Sequence, residues 1–300
     1  MELTTEKSFK KGDRLWAYLQ LMRPANIITA WADILAGAAS GAVAIASPDL
    51  AWLLLATTGL YGGGVVLNDV FDAELDSHER PERPIPSGRV SRQDAIWLGS
   101  LSLVMGILAA AKVSLLSMAI ATSVASAALL YNAVSKHHVI GGPLNMGCCR
   151  GGNLLLGMSV VPTVLVERWW LALLPIVYIA AITAISQGEV RGGKRETGIF
   201  ALFCLVIVFS SILALELLTN YFILAALPFL ILLAVRIVPP FIAATRNPQP
   251  DIIQSAVKAG VLSLIVLDAT IAAGFASWYG LLVLGLLPLS LVTAKKLAVT

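Results

Sequence analysis

Charge is what this sequence has least of. Only 13% of its 300 residues are charged, 58% are hydrophobic, and the mean hydropathy is +0.83. A water-soluble domain carries about 25% charged residues, so a soluble fold is excluded. Cysteine is scarce too. Cys148, Cys149 and Cys204 show no paired spacing for zinc or for a disulfide framework, and they read as small buried hydrophobes. The histidines are His78, His137 and His138, none with a helix-spaced acidic partner, which argues against a histidine metal site. There is no low-complexity segment and no repeat with a clear period. Basic residues form no stripe interleaved with aromatics, so the net charge of +3 points to no nucleic acid.

What the chain does have is apolar runs. Segments of spanning length, about 17–25 residues, fall near 25–46, 50–72, 93–111, 113–134, 145–166, 169–190, 197–219, 221–245, 252–274 and 276–294. The break before the last, Ser277-Trp278-Tyr279-Gly280, is tight and partly aromatic, so that run is either an interfacial turn or a tenth crossing. The reading is an all-α polytopic transmembrane bundle of nine or ten helices. Residues 1–14 form a basic polar tail and 15–300 a single membrane domain. A cleavable signal peptide competes for the N-terminus, but Arg23, Pro24 and Asp33 suit a retained helix better.

Basic residues decide orientation. With ten crossings, only Lys112 and Arg168 fall on the side opposite the other Lys and Arg residues. The positive-inside rule then makes both termini cytoplasmic. A bacterial inner membrane is the expected location, with membrane lipid as surroundings. Prolines at Pro239-Pro240 and Pro248-x-Pro250 are expected to break helices.

One polar stretch stands against this background, residues 62–92. Asn68, Asp72 and Asp76 recur every four residues, and Asp69 borders them, so on a continuing helix they share a face. Two readings account for them. A hard cation such as magnesium takes one or two carboxylates together with substrate phosphates; alternatively the acids pair with Arg80, Arg83 and Arg89 at a solvated helix end. The RPERPIPSG segment that follows is rigid, because each proline fixes its own φ and restricts the residue before it.

NDVFDAELD followed by ERPERPIPSG resembles the first signature of the UbiA superfamily of intramembrane prenyltransferases. Leu21-Met22-Arg23-Pro24-Ala25-Asn26 resembles the start of that family's first helix. The resemblance implies a UbiA-like bundle around a central cavity open to the cytoplasmic side. It implies Mg2+ held by Asn68, Asp69, Asp72 and Asp76, and a prenyl diphosphate contacted by Arg23, Asn26, Asn68 and Arg83. The acceptor would be aromatic or lipid-soluble. Helix four ends Tyr131-Asn132-Ala133-Val134-Ser135-Lys136, where the family often has a diphosphate-contacting lysine; the competing reading makes Lys136 a membrane anchor.

Helix five holds Arg150 and Asn153 in an apolar run, and both need an internal partner or face the cavity. The second family signature is altered. Where three acids are expected the chain reads Ser186, Glu189 and Gly193, with Lys194 and Arg195 next to them. Glu189 is then the one remaining acidic metal ligand there, and Lys194 and Arg195 offset diphosphate charge. Asp72, Asp76, Lys136, Glu189 and Lys194 form the catalytic set implied. Asp268 is either a cavity residue or a partner of Lys258. The intact first signature, the altered second one and the GCCRGGNLLLG segment look most like the EboC branch. The lost acids leave a second function open: a protein that binds or moves a lipid-linked diphosphate or another amphipath without turning it over.

Overall fold

The structure is a computed structural model in which residues 11–297 are described. Of the expected tail, residues 1–10 lie outside that range. All regular structure among the described residues is helical. Helix α1 (Lys11–Met22) keeps Ala17 and Leu21 buried and exposes Leu15, Trp16 and Leu19. Pro24 then opens α2 (Pro24–Ser40), and Arg23 precedes it in the left-handed region at φ 48°.

Two helices build the wall that carries the first signature. Helix α3 (Pro48–Phe71) runs into the short α4 (Ala73–Glu79) across a turn at Asp72. The turn does not break the helical bonding. Asp72 N–H donates to Asn68 O at 2.9 Å and Asp76 N–H to Asp72 O at 2.8 Å. The four-residue stripe expected of a continuing helix is therefore kept.

Next come α5 (Arg92–Ala111) and α6 (Leu115–Ala133). Their N-termini are capped by Ser91 and Ser114, each accepting from the backbone three residues on. A 3-10 turn (Ser135–His137) leads to α7 (Gly141–Met158). The short α8 (Pro162–Arg168) joins α9 (Leu173–Ser186) through another 3-10 turn. The chain closes with α10 (Arg195–Leu218), α11 (Ile223–Arg246), α12 (Pro250–Ala276), α13 (Trp278–Leu284) and α14 (Leu286–Leu297).

Eight of these helical stretches are long and apolar enough to cross a membrane; α8 with α9, and α13 with α14, each count as one. Helices α2 and α7 fall outside that set and complete the ten expected segments. Helix α2 has 17 residues, and α7 carries Arg150 and Asn153. Most of α2 is buried in the bundle, and α7 is buried over the face that carries Arg150 and Asn153, while its Leu144 and Cys148 are exposed. The outer helices show the opposite face: Phe200, Phe203, Val206 and Leu217 of α10 are exposed, as a helix against acyl chains requires.

The proline expectation needs correction. Helix α11 runs straight through Pro228, Pro239 and Pro240. Prolines are tolerated in spanning helices because neighbouring helices and local adjustment satisfy the freed carbonyls. Pro250 behaves as expected and opens α12.

Helices α2 and α7 approach closely enough that two glycines are obligatory. A Cβ on Gly37 would collide with the Leu154 carbonyl of α7, and one on Gly157 with the Ile34 carbonyl of α2. Small residues at such crossings let backbones approach in membranes, where water supplies no driving force. This approach brings Asp33 on α2 within reach of Arg150 on α7.

Candidate active site

The bundle encloses a cavity of about 420 Å³. One wall is a stripe along α3 and α4: Thr57, Tyr61, Gly64, Asn68, Asp72 and Asp76. Arg80 and Arg83 reach it from the proline-rich loop, Arg23 and Asn26 from the start of α2, Lys136 from the 3-10 turn after α6, and Arg150 and Asn153 from α7. Glu189 enters from the loop after α9.

The structure gathers ten predicted site residues on this one cavity: Arg23, Asn26, Asn68, Asp72, Asp76, Arg83, Lys136, Arg150, Asn153 and Glu189. Asp69 is buried behind the wall rather than on it. Lys194 and Arg195 are exposed and do not line the cavity.

Each acid of the first signature has a cation. Arg23 Nη2 bonds Asp69 Oδ1 at 2.6 Å, and Arg83 Nη1 bonds Asp76 Oδ2 at 2.6 Å while standing 3.5 Å from Asp69. Lys136 Nζ bonds Asp72 Oδ1. Of the arginines expected to pair with the cluster, Arg83 does so, joined by Arg23 and by Lys136. The acids do pair with arginine, yet they do so around a cavity rather than at a solvated end. Arg83 Nε is buried without a partner among the described residues, and Arg80 adds a further cation to the same lining.

The proline loop explains how Arg83 is aimed. Arg83 N–H donates to Arg80 O at 3.1 Å, Ser87 N–H to Arg83 O at 3.0 Å and Val90 N–H to Pro84 O at 3.1 Å. Gly88 supplies the left-handed turn at φ 75°. Arg89 bonds Gln20 Oε1 at 2.8 Å and Glu82 O at 2.7 Å, tying the loop to α1. Arg89 therefore fastens the loop; among the described residues it forms no ion pair with the signature acids.

The altered second signature closes differently. Gly193 N–H donates to Pro248 O at 2.9 Å, and Gln254 Nε2 donates to Glu189 O at 3.0 Å. Gly192 takes a left-handed φ of 84°. A Cβ on Gly193 would stand 2.9 Å from Ile253 Cδ1, so the loop packs where a side chain would otherwise stand. Glu189 is left as the one carboxylate of this loop on the cavity. Burial pushes its carboxyl above the ordinary range, and Arg80 partly offsets this.

At the other end of the cavity, Arg150 donates from Nη1 to Asp33 Oδ2 at 2.8 Å and from Nη2 to Thr29 Oγ1 at 2.6 Å. Its guanidinium stacks over Tyr61, 4.7 Å from the ring centroid. Asn153 donates to Ala30 O at 2.8 Å and to Asp33 Oδ2 at 3.0 Å, and accepts from Thr57 Oγ1 at 2.7 Å. The internal partner expected for Arg150 is thus Asp33. Asp268 is not a partner of Lys258: Asp268 is wholly buried and faces Asp33, whereas Lys258 is exposed.

Sequence reasoning passed over Thr57, Tyr61, Glu79 and Asn132 as cavity residues. A signal existed for two of them. Thr57, Tyr61, Gly64 and Asn68 continue the Asp72–Asp76 spacing upstream by fours and threes, the register of one helix face. Asn132 was hidden by its neighbours; it accepts from Asn68 Nδ2 at 3.0 Å and donates to Gly64 O at 2.9 Å.

Among the described residues, no three His, Cys, Asp or Glu side chains converge tightly enough to hold a metal unaided. The donor set still fits magnesium of one particular kind. Asn68, Asp72, Asp76 and Glu189 present hard oxygens to a cavity that also holds Arg23, Arg80, Arg83, Lys136 and Arg150. Acids and cations on one cavity suit a metal that arrives with phosphate oxygens and takes few protein ligands.

A polytopic helical bundle whose core cavity pairs carboxylates with basic residues defines the class: a multi-pass membrane protein with a charged internal cavity. A model of the UbiA prenyltransferase family matches residues 25–246, and the chain belongs to that family. It is 30% identical over 202 residues to a digeranylgeranylglyceryl phosphate synthase of Ignicoccus hospitalis, covering 62% of this chain and 63% of that relative's length. Its fold is similar to the apo structure of a UbiA homologue from Aeropyrum pernix, with a TM-score of 0.69 at 16% identity over 82% of this chain and 96% of the other. A UbiA homologue from Archaeoglobus fulgidus bound to DMAPP and Mg2+ is also similar, with a TM-score of 0.53 at 18% identity over 89% of this chain and 99% of that one.

Proposed function

We propose that this chain is a magnesium-dependent membrane prenyltransferase that moves a prenyl group from an allylic prenyl diphosphate to a lipid-soluble acceptor. The observation that carries the reading is the joint presence of Asn68, Asp72, Asp76 and Glu189 with Arg23, Arg80, Arg83 and Lys136 on one cavity. The relative from Ignicoccus hospitalis and the DMAPP- and Mg2+-bound homologue support it.

In this mechanism the ion pairs are exchanged when substrate enters. Lys136 leaves Asp72 and Arg83 leaves Asp76 for phosphate oxygens, where charge-assisted bonds are strongest, while Arg23 meets them from its place on Asp69. Asn68, Asp72 and Asp76, with Glu189 opposite, would then hold magnesium. Bound there, the metal supplies Lewis acidity and charge neutralisation at the departing diphosphate. Asp69 stays buried behind the wall, where it orients Arg23 rather than meeting the metal. Leu60, Val65, Val124, Ala128 and Met146 also line the cavity and keep water from an allylic centre as its C–O bond breaks. The polar end formed by Thr57, Tyr61, Arg150 and Asn153 suits the head of an amphipathic acceptor.

The finer parts of the reading are acceptor, branch and location. The named relative is a digeranylgeranylglyceryl phosphate synthase, which favours a glycerophosphate-type lipid; an aromatic acceptor is the alternative. The altered second signature and the segment around Arg150 support a place near the EboC branch. Charge asymmetry supports cytoplasmic termini and a cavity opening on that side, in a bacterial inner membrane. Lys194 and Arg195 stand close in sequence to Glu189 and would act on diphosphate only if their loop turned inward.

The test is prenyl transfer by the full chain in lipid nanodiscs, with labelled allylic diphosphates, glycerophosphate or aromatic acceptors, and magnesium or chelator. Magnesium-dependent product is expected from wild type. Tight diphosphate binding with no product from any acceptor would replace this reading with that of a non-catalytic binder or carrier.

A further inference from the structure

Behind Arg150, which lines the cavity, stands an unbalanced set of buried charges. Asp33 on α2 and Asp268 on α12 are both 0% exposed, and Arg150 on α7 is 3% exposed. Arg150 bonds only one oxygen of this pair, Asp33 Oδ2, which Asn153 also contacts. Among the described residues, Asp33 Oδ1 and both carboxylate oxygens of Asp268 have no hydrogen-bond partner, although Asp268 lies against Asp33.

The other groups near Asp268 do not answer for it. Tyr178 on α9 gives its hydroxyl proton to Gly260 O at 2.9 Å. Tyr61 on α3 meets the face of Arg150. Arg236 on α11 is turned to Ser263, at 3.3 Å. Thr270, on the same helix as Asp268, bonds Val266 O at 2.7 Å. Two carboxylates and one guanidinium would leave a net negative charge inside the bundle, and buried charge is tolerated only when paired and hydrogen-bonded.

We propose that Asp33 and Asp268 share one proton, which makes the Asp33–Asp268–Arg150 trio neutral and fixes Arg150 in the cavity wall. The hydroxyl of one carboxylic acid donates to an unpartnered oxygen of the other. Asp33 Oδ2 stays free to accept from Arg150 and Asn153. Without the proton, a surplus negative charge would stand beside a cavity that receives a polyanion. With it, the guanidinium is held over Tyr61 and its field reaches the cavity. Asp268 is thus a positioning residue acting through Asp33. The functional consequence rests on the reading of the cavity as a diphosphate site, but the shared proton does not.

The experiment uses the full chain in nanodiscs, with infrared spectroscopy of the protonated-carboxyl C=O stretch and its shift in D2O. Wild type is expected to show such a band at neutral pH, and Asp268→Asn to lose it. Binding of a non-hydrolysable prenyl diphosphate analogue gives the second readout. Asp268→Asn should stay within about twofold of wild type, because an amide replaces a neutral acid of the same shape and can donate to the same oxygen. Asp268→Ala removes that donor and should weaken binding well beyond the Asn variant, while melting temperatures show that both variants fold. The absence of any band removed by Asp268→Asn overturns the proposal. Melting that depends on sodium would then assign the missing positive charge to a metal ion. If the band behaves as expected but no variant binds analogue differently, the proton stands and the positioning role falls.

Discussion

Asp72 occupies the turn between α3 and α4, where its carboxylate faces both the cavity and the Lys136 ammonium. Replacing it with alanine removes a hard oxygen ligand and also releases Lys136, and the neighbouring acids are already committed to Arg23 and Arg83. Asp72→Ala is expected to abolish magnesium-dependent binding of a prenyl diphosphate analogue while the protein still inserts and folds. Equal affinity in wild type and variant, with and without magnesium, would remove Asp72 from the site. Glu189 offers a second test at this scale. Burial raises its carboxyl above the ordinary range in the folded protein. A raised acid contributes stability that is complete below the unfolded-state value and is lost as pH rises through the folded one. Glu189→Gln is therefore expected to melt higher than wild type in magnesium-free buffer at pH 8, with the gap closing towards pH 4. A gap that widens on acidification would mean that Glu189 is held as a stabilised carboxylate instead.

At the scale of elements, the site depends on how closely α2 and α7 approach. Any side chain at Gly37 or Gly157 meets backbone, which cannot move aside as a flexible side chain can. Gly157→Val should separate the two helices and stretch the Asp33–Arg150 pair, lowering the melting temperature by an amount equivalent to about 1–3 kcal/mol. Thermal unfolding in nanodiscs measures this, and an unchanged melting temperature would show that the crossing is looser than drawn. This crossing also marks where sequence reading stopped. The α3–α4 stripe was legible because Asn68, Asp72 and Asp76 follow helical spacing along a single stretch. Arg150 announced a need for an internal partner by being charged in an apolar run. The partner, Asp33, lies 117 positions away, and no local periodicity links the two. The same holds for Asp268, whose nearest sequence candidate was Lys258; long-range packing put Asp33 there instead. Helix α11 failed the proline expectation for a related reason, since tertiary neighbours decide whether a spanning helix survives Pro239-Pro240.

For the whole molecule, the open question of orientation is answerable because the site and its opposite pole lie on one helix. Helix α3 begins after Ser47 and ends at Phe71, just before Asp72, a run of 24 residues that spans about 36 Å, enough to cross a bilayer core. Ser47 precedes the cap, and Ser77 lies exposed in α4, beside the signature acids. The Arg80–Arg92 stretch belongs to the Ser77 end, as do Arg14 in α1 and Lys295 and Lys296 in the last turn of α14 under the ten-segment arrangement. The Ser47 pole has far fewer basic residues, with Lys112 and Arg168 the exceptions. Arg168 is also partly spoken for, since it donates to Ser40 O at 2.7 Å and to Asn220 Oδ1 at 2.8 Å, which lowers its weight as a free topological charge. Orientation follows Lys and Arg near the ends of spanning segments, so the Ser77 end should face the cytoplasm. The check is labelling of single cysteines at 47 and 77 by a membrane-impermeant thiol reagent, in a background where Cys148, Cys149 and Cys204 have been replaced. In intact cells the cysteine at 47 should react and the one at 77 should not, and in inverted vesicles the pattern should reverse. Reaction at 77 in intact cells would turn the molecule over. A cytoplasmic pool of diphosphate could not then reach the cavity directly, and the transferase reading would need a donor presented from the other side.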